Sequence, residues 1–546
     1  MKSASHPKLA LRLRQFLFGL LTAAFMLPVL AVCASWWSIG DATSLQILRE
    51  MAQTVLPDYV GTTLVLCLAV GVGVVLVGLS TAVAVTLFDF PGRRWFEWAL
   101  LLPLAMPAYV VAYAYTDFLQ FSGPFQTTLR AWLSLEGRVF PEIRNTAGAA
   151  WVFTFALYPY VYLLVRTALG ENASHLMEAA RLLGAPLRRR VVQVALPLAR
   201  PAVAAGMALA LMETLADYGV SSYFGIQTFT AGIYKAWLSM DNRIAAAQLA
   251  TMLLVLVAVL LSLERRAQRR MRFSATKGAR AGSVEGRLVV LQGRRVALAW
   301  LVCAAPVLMG FVLPVLFMLR PLAADWSVLS WGQFLGWSWN SLRLGALSAA
   351  LAVGVAMLLA FGLRSRPDGS TRLAVQLVSL GYAVPGAVIV VGLLLPVGWV
   401  QAAWPNSGVG YVLTATSAGL VWAYLVRFCA VALQSVQSGY ARIPQSFDDS
   451  ARMLGAQGWR LMHRVHWPLL KRSSAAAALL VFVDVMKELP ATMVLRPFDS
   501  DTLAVVAYQL ARDERLGEAA LPSLALVLVG LIPVVLLSRT LRRTPG

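Results

Sequence analysis

Four carboxylates stand at helical spacing in strongly apolar surroundings. Glu213 and Asp217 are four residues apart, and so are Asp484 and Glu488, with Lys487 beside them. Four residues make about one turn, so each pair shares a helix face. An ionisable group inside an apolar span costs about 2.5–3.5 kcal/mol on insertion scales, so it usually meets a partner or a wet cavity. Carboxylate oxygen, joined by the phenol oxygens of Tyr109, Tyr113 and Tyr115, suits a hard, highly charged cation. The same residues have a structural reading. Lys487 can pair with Asp484 at i,i+3, the acids can hydrogen-bond to one another, and tyrosines near a membrane interface are ordinary anchors.

Other reactive types are sparse. Cys33, Cys67, Cys303 and Cys429 each lie in an apolar run, far apart in sequence, as small packing residues do. His463 and His466 are spaced for a metal, but the matching positions of an internal repeat hold Val192 and Ala195, so both are read as plain interface residues. No nucleophile–base constellation occurs, and no catalytic residue is expected. The chain has only six lysines, and none completes a Gly-x-x-x-x-Gly-Lys-Ser/Thr phosphate loop.

The elements that carry these groups must be membrane helices. Of 546 residues 59% are hydrophobic and 13% charged, too few charges for a soluble fold. About 20 apolar residues cross a bilayer, and twelve stretches qualify: 15–37, 59–88, 98–119, 147–166, 198–217, 244–263, 296–318, 339–363, 373–396, 410–434, 473–490 and 521–538. The first is read as an uncleaved helix, although Val32-Cys33-Ala34 could pass for a signal-peptidase site. With the N-terminus inside, 35 of the 47 Lys and Arg fall on the cytoplasmic side. This follows the positive-inside rule, predicts cytoplasmic termini, and accounts for the +21 charge without nucleic acid.

The chain also repeats itself. Residues 178–217 align without a gap on 449–488 at an offset of 271, and Ala105-Met106-Pro107 matches Ala383-Val384-Pro385 at 278. The expected architecture is an all-α integral membrane protein of two homologous six-helix halves. They are 1–263 and 296–546, joined by a basic cytoplasmic linker, 264–295. Parallel repeats of this kind usually place a pathway between the halves. Pro107 and Pro385 break the third and ninth spans in register, as a gating bend or a static kink.

The most regular repeated segment is a loop. Its first copy holds Glu178-Ala179-Ala180, then Gly184, Val194 and Leu196-Pro197; its second holds Asp449-Ser450-Ala451, then Gly455, Val465 and Trp467-Pro468. An acid at the head and Gly at the tail suit a short helix, and the small residues admit a close neighbour. The bland alternative is an amphipathic helix lying on the membrane. The pattern resembles the ATPase-coupling loop of binding-protein-dependent ABC-transporter permeases, with mild departures at Asp449-Ser450 and Trp467. The resemblance implies an ABC importer permease fold in the bacterial cytoplasmic (inner) membrane. It also implies two copies of an ABC ATPase subunit that hold the ATP, and an external solute-binding protein. The chain itself would bind no cofactor.

The stretches Glu213–Val220, Thr228–Trp237, Met486–Thr492, Leu495–Phe498 and Asp501–Ala504 are similar to fused ferric-iron permeases over nearly the whole chain. Ferric import is the cargo this implies; thiamine, phosphonate and polyamine permeases of the same class are alternatives, and a twelve-helix secondary transporter is a more distant one. Glu213, Asp217, Asp484 and Glu488 become candidates for the translocation path. No fixed metal site is expected, because a conduit must release what it admits.

Overall fold

A computed structural model of the chain describes residues 7–40, 42–278, 288–328, 330–365 and 367–542. These residues are helical almost throughout, and among them the one two-stranded pairing is parallel, Phe88–Asp89 with Val289–Val290. Among the described residues ten helices are long and apolar enough to span a membrane, or eleven if one bent pair counts as a span. The bent pair, Arg93–Ala105 and Ala108–Leu133, turns by 89°. Pro107 sits at this break in extended backbone, with φ −60° and ψ 142°, and heads the next helix. Pro385 repeats the geometry at φ −59° and ψ 143° before Gly386–Ala403. Neither proline kinks a continuous helix: each opens one, where a missing N–H is harmless.

The eleventh expected span, 473–490, is present as a helix but differs in composition from those ten. Trp467–Lys487 has 21 residues. It carries Lys471, Arg472, Asp484 and Lys487, so length alone marks it as a span. Of the expected linker 264–295, the first part prolongs the helix Arg243–Gly278, and residues 279–287 lie outside the described residues.

Chain contacts group the molecule into two compact units, and neither follows a sequence half. One comprises Met1–Leu48, Ile233–Leu254 and Trp331–Val505; the other comprises Arg49–Gly232, Val255–Ser330 and Val506–Gly546. In the first unit Trp331–Ser365, Ser417–Tyr440 and Trp467–Lys487 pack together, and the N-terminal helix Pro7–Ala34 lies against Gly386–Ala403. Gly392 allows that approach: a Cβ there would sit 2.1 Å from the Pro28 carbonyl oxygen. In the second unit Leu56–Leu87, Thr146–Leu182 and Leu196–Ala216 form the equivalent trio. Gly78 and Gly206 face the backbone at Tyr158–Tyr162, where a Cβ would come within 3 Å. Lipid gives no hydrophobic drive for helix pairing, so small residues and close contact supply it. Each trio therefore comes from one repeat, and its unit also holds the first helix of the other, Pro7–Ala34 or Arg294–Ala324.

Candidate functional site

The two repeated loops share a backbone device. Gly184 and Gly455 take left-handed φ of 78° and 80°. Ala185 N–H bonds to Ala180 O at 3.0 Å and Gly184 N–H to Arg181 O at 2.9 Å; Ala456 to Ala451 at 2.9 Å and Gly455 to Arg452 at 3.0 Å repeat the pair. This is the Schellman close of a helix, which favours glycine at its left-handed position. A Cβ would meet nothing within 4 Å at either glycine, so backbone conformation alone sets the requirement. Farther on, the π-turns Val191–Ala195 and Met462–His466 stand at the same offset of 271. Each leads into a helix with proline in its first turn, Pro197 or Pro468. Proline clashes with the carbonyl four residues back, and the wider π-turn absorbs that conflict.

Just before each glycine the loop exposes an apolar pair. Leu182 and Leu183 are 84% and 88% exposed, and Met453 and Leu454 are 90% and 88%. Two large apolar side chains thus stand exposed at matched places, each on a turn closed by a Schellman motif. Glu178 is half-buried, Ala179 is exposed, and Asp449 and Ser450 are exposed, while Ala451 faces inward.

The copies differ upstream. The first was expected to be a short helix, but it is the end of one 37-residue helix, Thr146–Leu182. The second is a separate helix, Gln445–Met453, set off by Pro444, where the first copy has Ala173. Proline has no N–H to continue the ladder, so the helix breaks there. Behind the second loop lies a buried polar cluster. Arg364 Nε donates to Asp448 Oδ2 at 2.8 Å, and its Nη2 donates to Pro444 O at 3.0 Å. His466 Nε2 donates to Asp448 Oδ1 at 3.0 Å, and His466 Nδ1 lies 3.1 Å from the Tyr440 hydroxyl. Burial opposes the charge on Asp448, but hydrogen bonds from Arg364 and His466 and their charges outweigh it and hold the carboxyl below its ordinary range. His466 is therefore no interface residue; it is fully buried, while His463 is exposed.

The four acids of the spans divide by role. Glu488 is enclosed, its side chain 1% exposed against Arg427 at 3.1 Å. Its carboxylate also accepts the N–H groups of Ala491 and Thr492, each at 2.9 Å, and the Thr492 hydroxyl at 2.7 Å. It caps the short helix Pro490–Leu495, satisfying donors that a helix start leaves open. Asp217 does the same in register, accepting Val220 N–H at 2.8 Å. Glu213 and Asp484 are half-buried. Tyr109, Tyr113 and Tyr115 are all buried, which removes them from an interfacial belt. Tyr115 donates to Met309 O at 2.7 Å, and the rings of Tyr109 and Tyr113 pack 5.7 Å apart.

With this geometry in view, similarity to known proteins becomes specific. Residues 74–273 match the family described as the inner membrane component of binding-protein-dependent transport systems. Over these residues the chain is similar to the permeases of binding-protein-dependent transport. The matched segment contains the whole first loop. A fused-length relative, the Fe(3+)-transport system permease protein FbpB 2 of Haemophilus influenzae, is 24% identical over 517 residues, covering 94% of this chain and 95% of that protein. A probable ABC transporter permease of Sinorhizobium fredii is 23% identical over 95% of this chain and 94% of its own. PhnU of Salmonella choleraesuis, provisionally described as a 2-aminoethylphosphonate transport permease, is 26% identical over 35% of this chain and 66% of its own. The permease is a multi-pass protein of the inner membrane.

Sequence reasoning found both loops through their repetition. It missed Arg364, Asp448 and Tyr440 and misassigned His466, because their partners are far apart in sequence. One signal was available: an Arg at the end of an apolar helix and a His where the other copy has Ala195.

Proposed function

We propose that this permease belongs to an ATP-driven importer that carries ferric iron from an extracytoplasmic binding protein into the cytoplasm. One ATPase subunit would dock on each repeated loop, with both chain termini on the same side. The observation that carries the coupling role is the matched pair of Schellman turns, each displaying two apolar side chains outward. The full-length relation to a ferric permease supports the cargo. A hard trivalent ion also fits the carboxylates of the spans. Asp217 and Glu488 also cap helices; Glu213 and Asp484 are half-buried one turn before them and are the pair taken to the test.

The test is uptake of radiolabelled ferric iron by cells lacking the permease and any second iron system, with thiamine and 2-aminoethylphosphonate uptake measured alongside. Loss of iron uptake alone supports the assignment. Loss of phosphonate uptake with iron intact would transfer the cargo to the class named for PhnU. A gradient-driven transporter would keep working without ATP and without a bound ATPase subunit. In the working system, Glu213→Gln combined with Asp484→Asn should cut uptake while ATP hydrolysis stays coupled to loop docking; unchanged uptake would remove these acids from the path.

A further inference from the structure

The two loops occupy equivalent places but are fastened differently. The helices Leu56–Leu87 and Trp331–Ser365 end 278 residues apart, which pairs Thr86 with Arg364. The offset of 271 pairs Leu169 with Tyr440, Met177 with Asp448 and Ala195 with His466. Leu169, Met177 and Ala195 are buried, so the first copy is apolar at these three places and the second is polar and ionic. The difference follows the backbone. The first loop needs no side-chain link to its span, because it is the last turns of the 37-residue helix Thr146–Leu182. The second loop has lost that continuity at Pro444. A stiff connection there must come from side chains.

We infer that Arg364, Asp448 and His466 are positioning residues that make the second loop move as one body with the spans behind it, replacing the unbroken helix of the first. The inference rests on the coupling role proposed above. Arg364 stands at the end of Trp331–Ser365 and reaches both sides of the break, donating to Tyr440 O at 3.4 Å and to Pro444 O at 3.0 Å. Its other contacts are to Asp448, on the separate helix. Asp448 in turn holds His466, which precedes Trp467–Lys487. The carboxylate therefore ties the loop helix to Trp331–Ser365 and to the head of Trp467–Lys487, while Arg364 and His466 each also reach Tyr440 at the end of Ser417–Tyr440. Charge-assisted bonds of fixed fork geometry are stiff as well as strong. A push on Met453 and Leu454 reaches the spans through this cluster, whereas a push on Leu182 and Leu183 travels along a helix axis.

The test uses the reconstituted transporter, with its ATPase subunits and binding protein, and compares wild type with Asp448→Asn. Two quantities are read: ions imported per ATP hydrolysed, and amide hydrogen exchange of both loops. The ratio should fall roughly tenfold, the effect of one lost hydrogen bond to a charged group. Exchange in Gln445–Met453 should quicken, exchange in residues 178–183 should not change, and the ATPase subunit should still bind. Arg364→Lys keeps the charge and loses the fork; it should fall between the two, and it carries the same test if Asp448→Asn does not accumulate. An unchanged ratio, or faster exchange in both loops alike, overturns the inference. Failure of the ATPase subunit to bind wild type would instead overturn the coupling reading, and the exchange data would still judge the clamp.

Discussion

Truncating the exposed leucines, Leu183→Ala in the first loop and Leu454→Ala in the second, separates docking from folding. Each side chain is 88% exposed, so the fold barely uses it, and stability should stay within about 0.5 kcal/mol. If a partner covers it fully, truncation removes about three carbons, roughly 2.4 kcal/mol at ~0.8 kcal/mol each. That corresponds to about a 50-fold loss of affinity at that loop. The assay is binding of the purified ATPase subunit to the permease in lipid nanodiscs, alongside its thermal transition. The single variants should each weaken one of two sites, and the double variant should weaken both. An unchanged Kd, or a transition several degrees lower with binding intact, would refute the docking role of these turns.

Three further outcomes follow from the same geometry. Gly455→Ala must place a Cβ on a left-handed residue, at a cost of about 1–2 kcal/mol; open space around it means the strain shows as faster exchange in the second loop rather than as global unfolding. Glu488→Ala removes the carboxylate that faces Arg427 in a buried site and should cost about 3–5 kcal/mol, seen as a shortened half-life on heating in detergent; a stable variant would free Glu488 for a transport role. Asp448 has a lowered pKa through Arg364 and His466, so its contribution is complete above the ordinary carboxylate value and is lost as pH falls through the lower folded value. The stability gap between wild type and Asp448→Asn should therefore be flat from pH 8 to about pH 5 and close only below about pH 4; a gap that closes well above pH 5 would refute the carboxylate as its source.

Composition and period were enough to put this chain in a membrane, because backbone in lipid must be satisfied internally and stretches of about 20 apolar residues do so as helices. The offset of 271 was enough to find the two loops, since a repeated segment keeps its turn chemistry: Gly184 and Gly455 are readable as left-handed caps from residue type alone. The roles of Asp217 and Glu488 were not readable, because an acid near the end of a span has the same spacing whether it lines a path or caps a helix; only the positions of Ala491, Thr492 and Arg427 decide. The unlike fastening of the loops was hidden for the same reason. Pro444 announces a break, but the residues that bridge it, Arg364 and His466, are brought to Asp448 by helix packing over separations of 84 and 18 residues. Local pattern fixes what a segment can form; which distant charge meets it is set by how the helices pack.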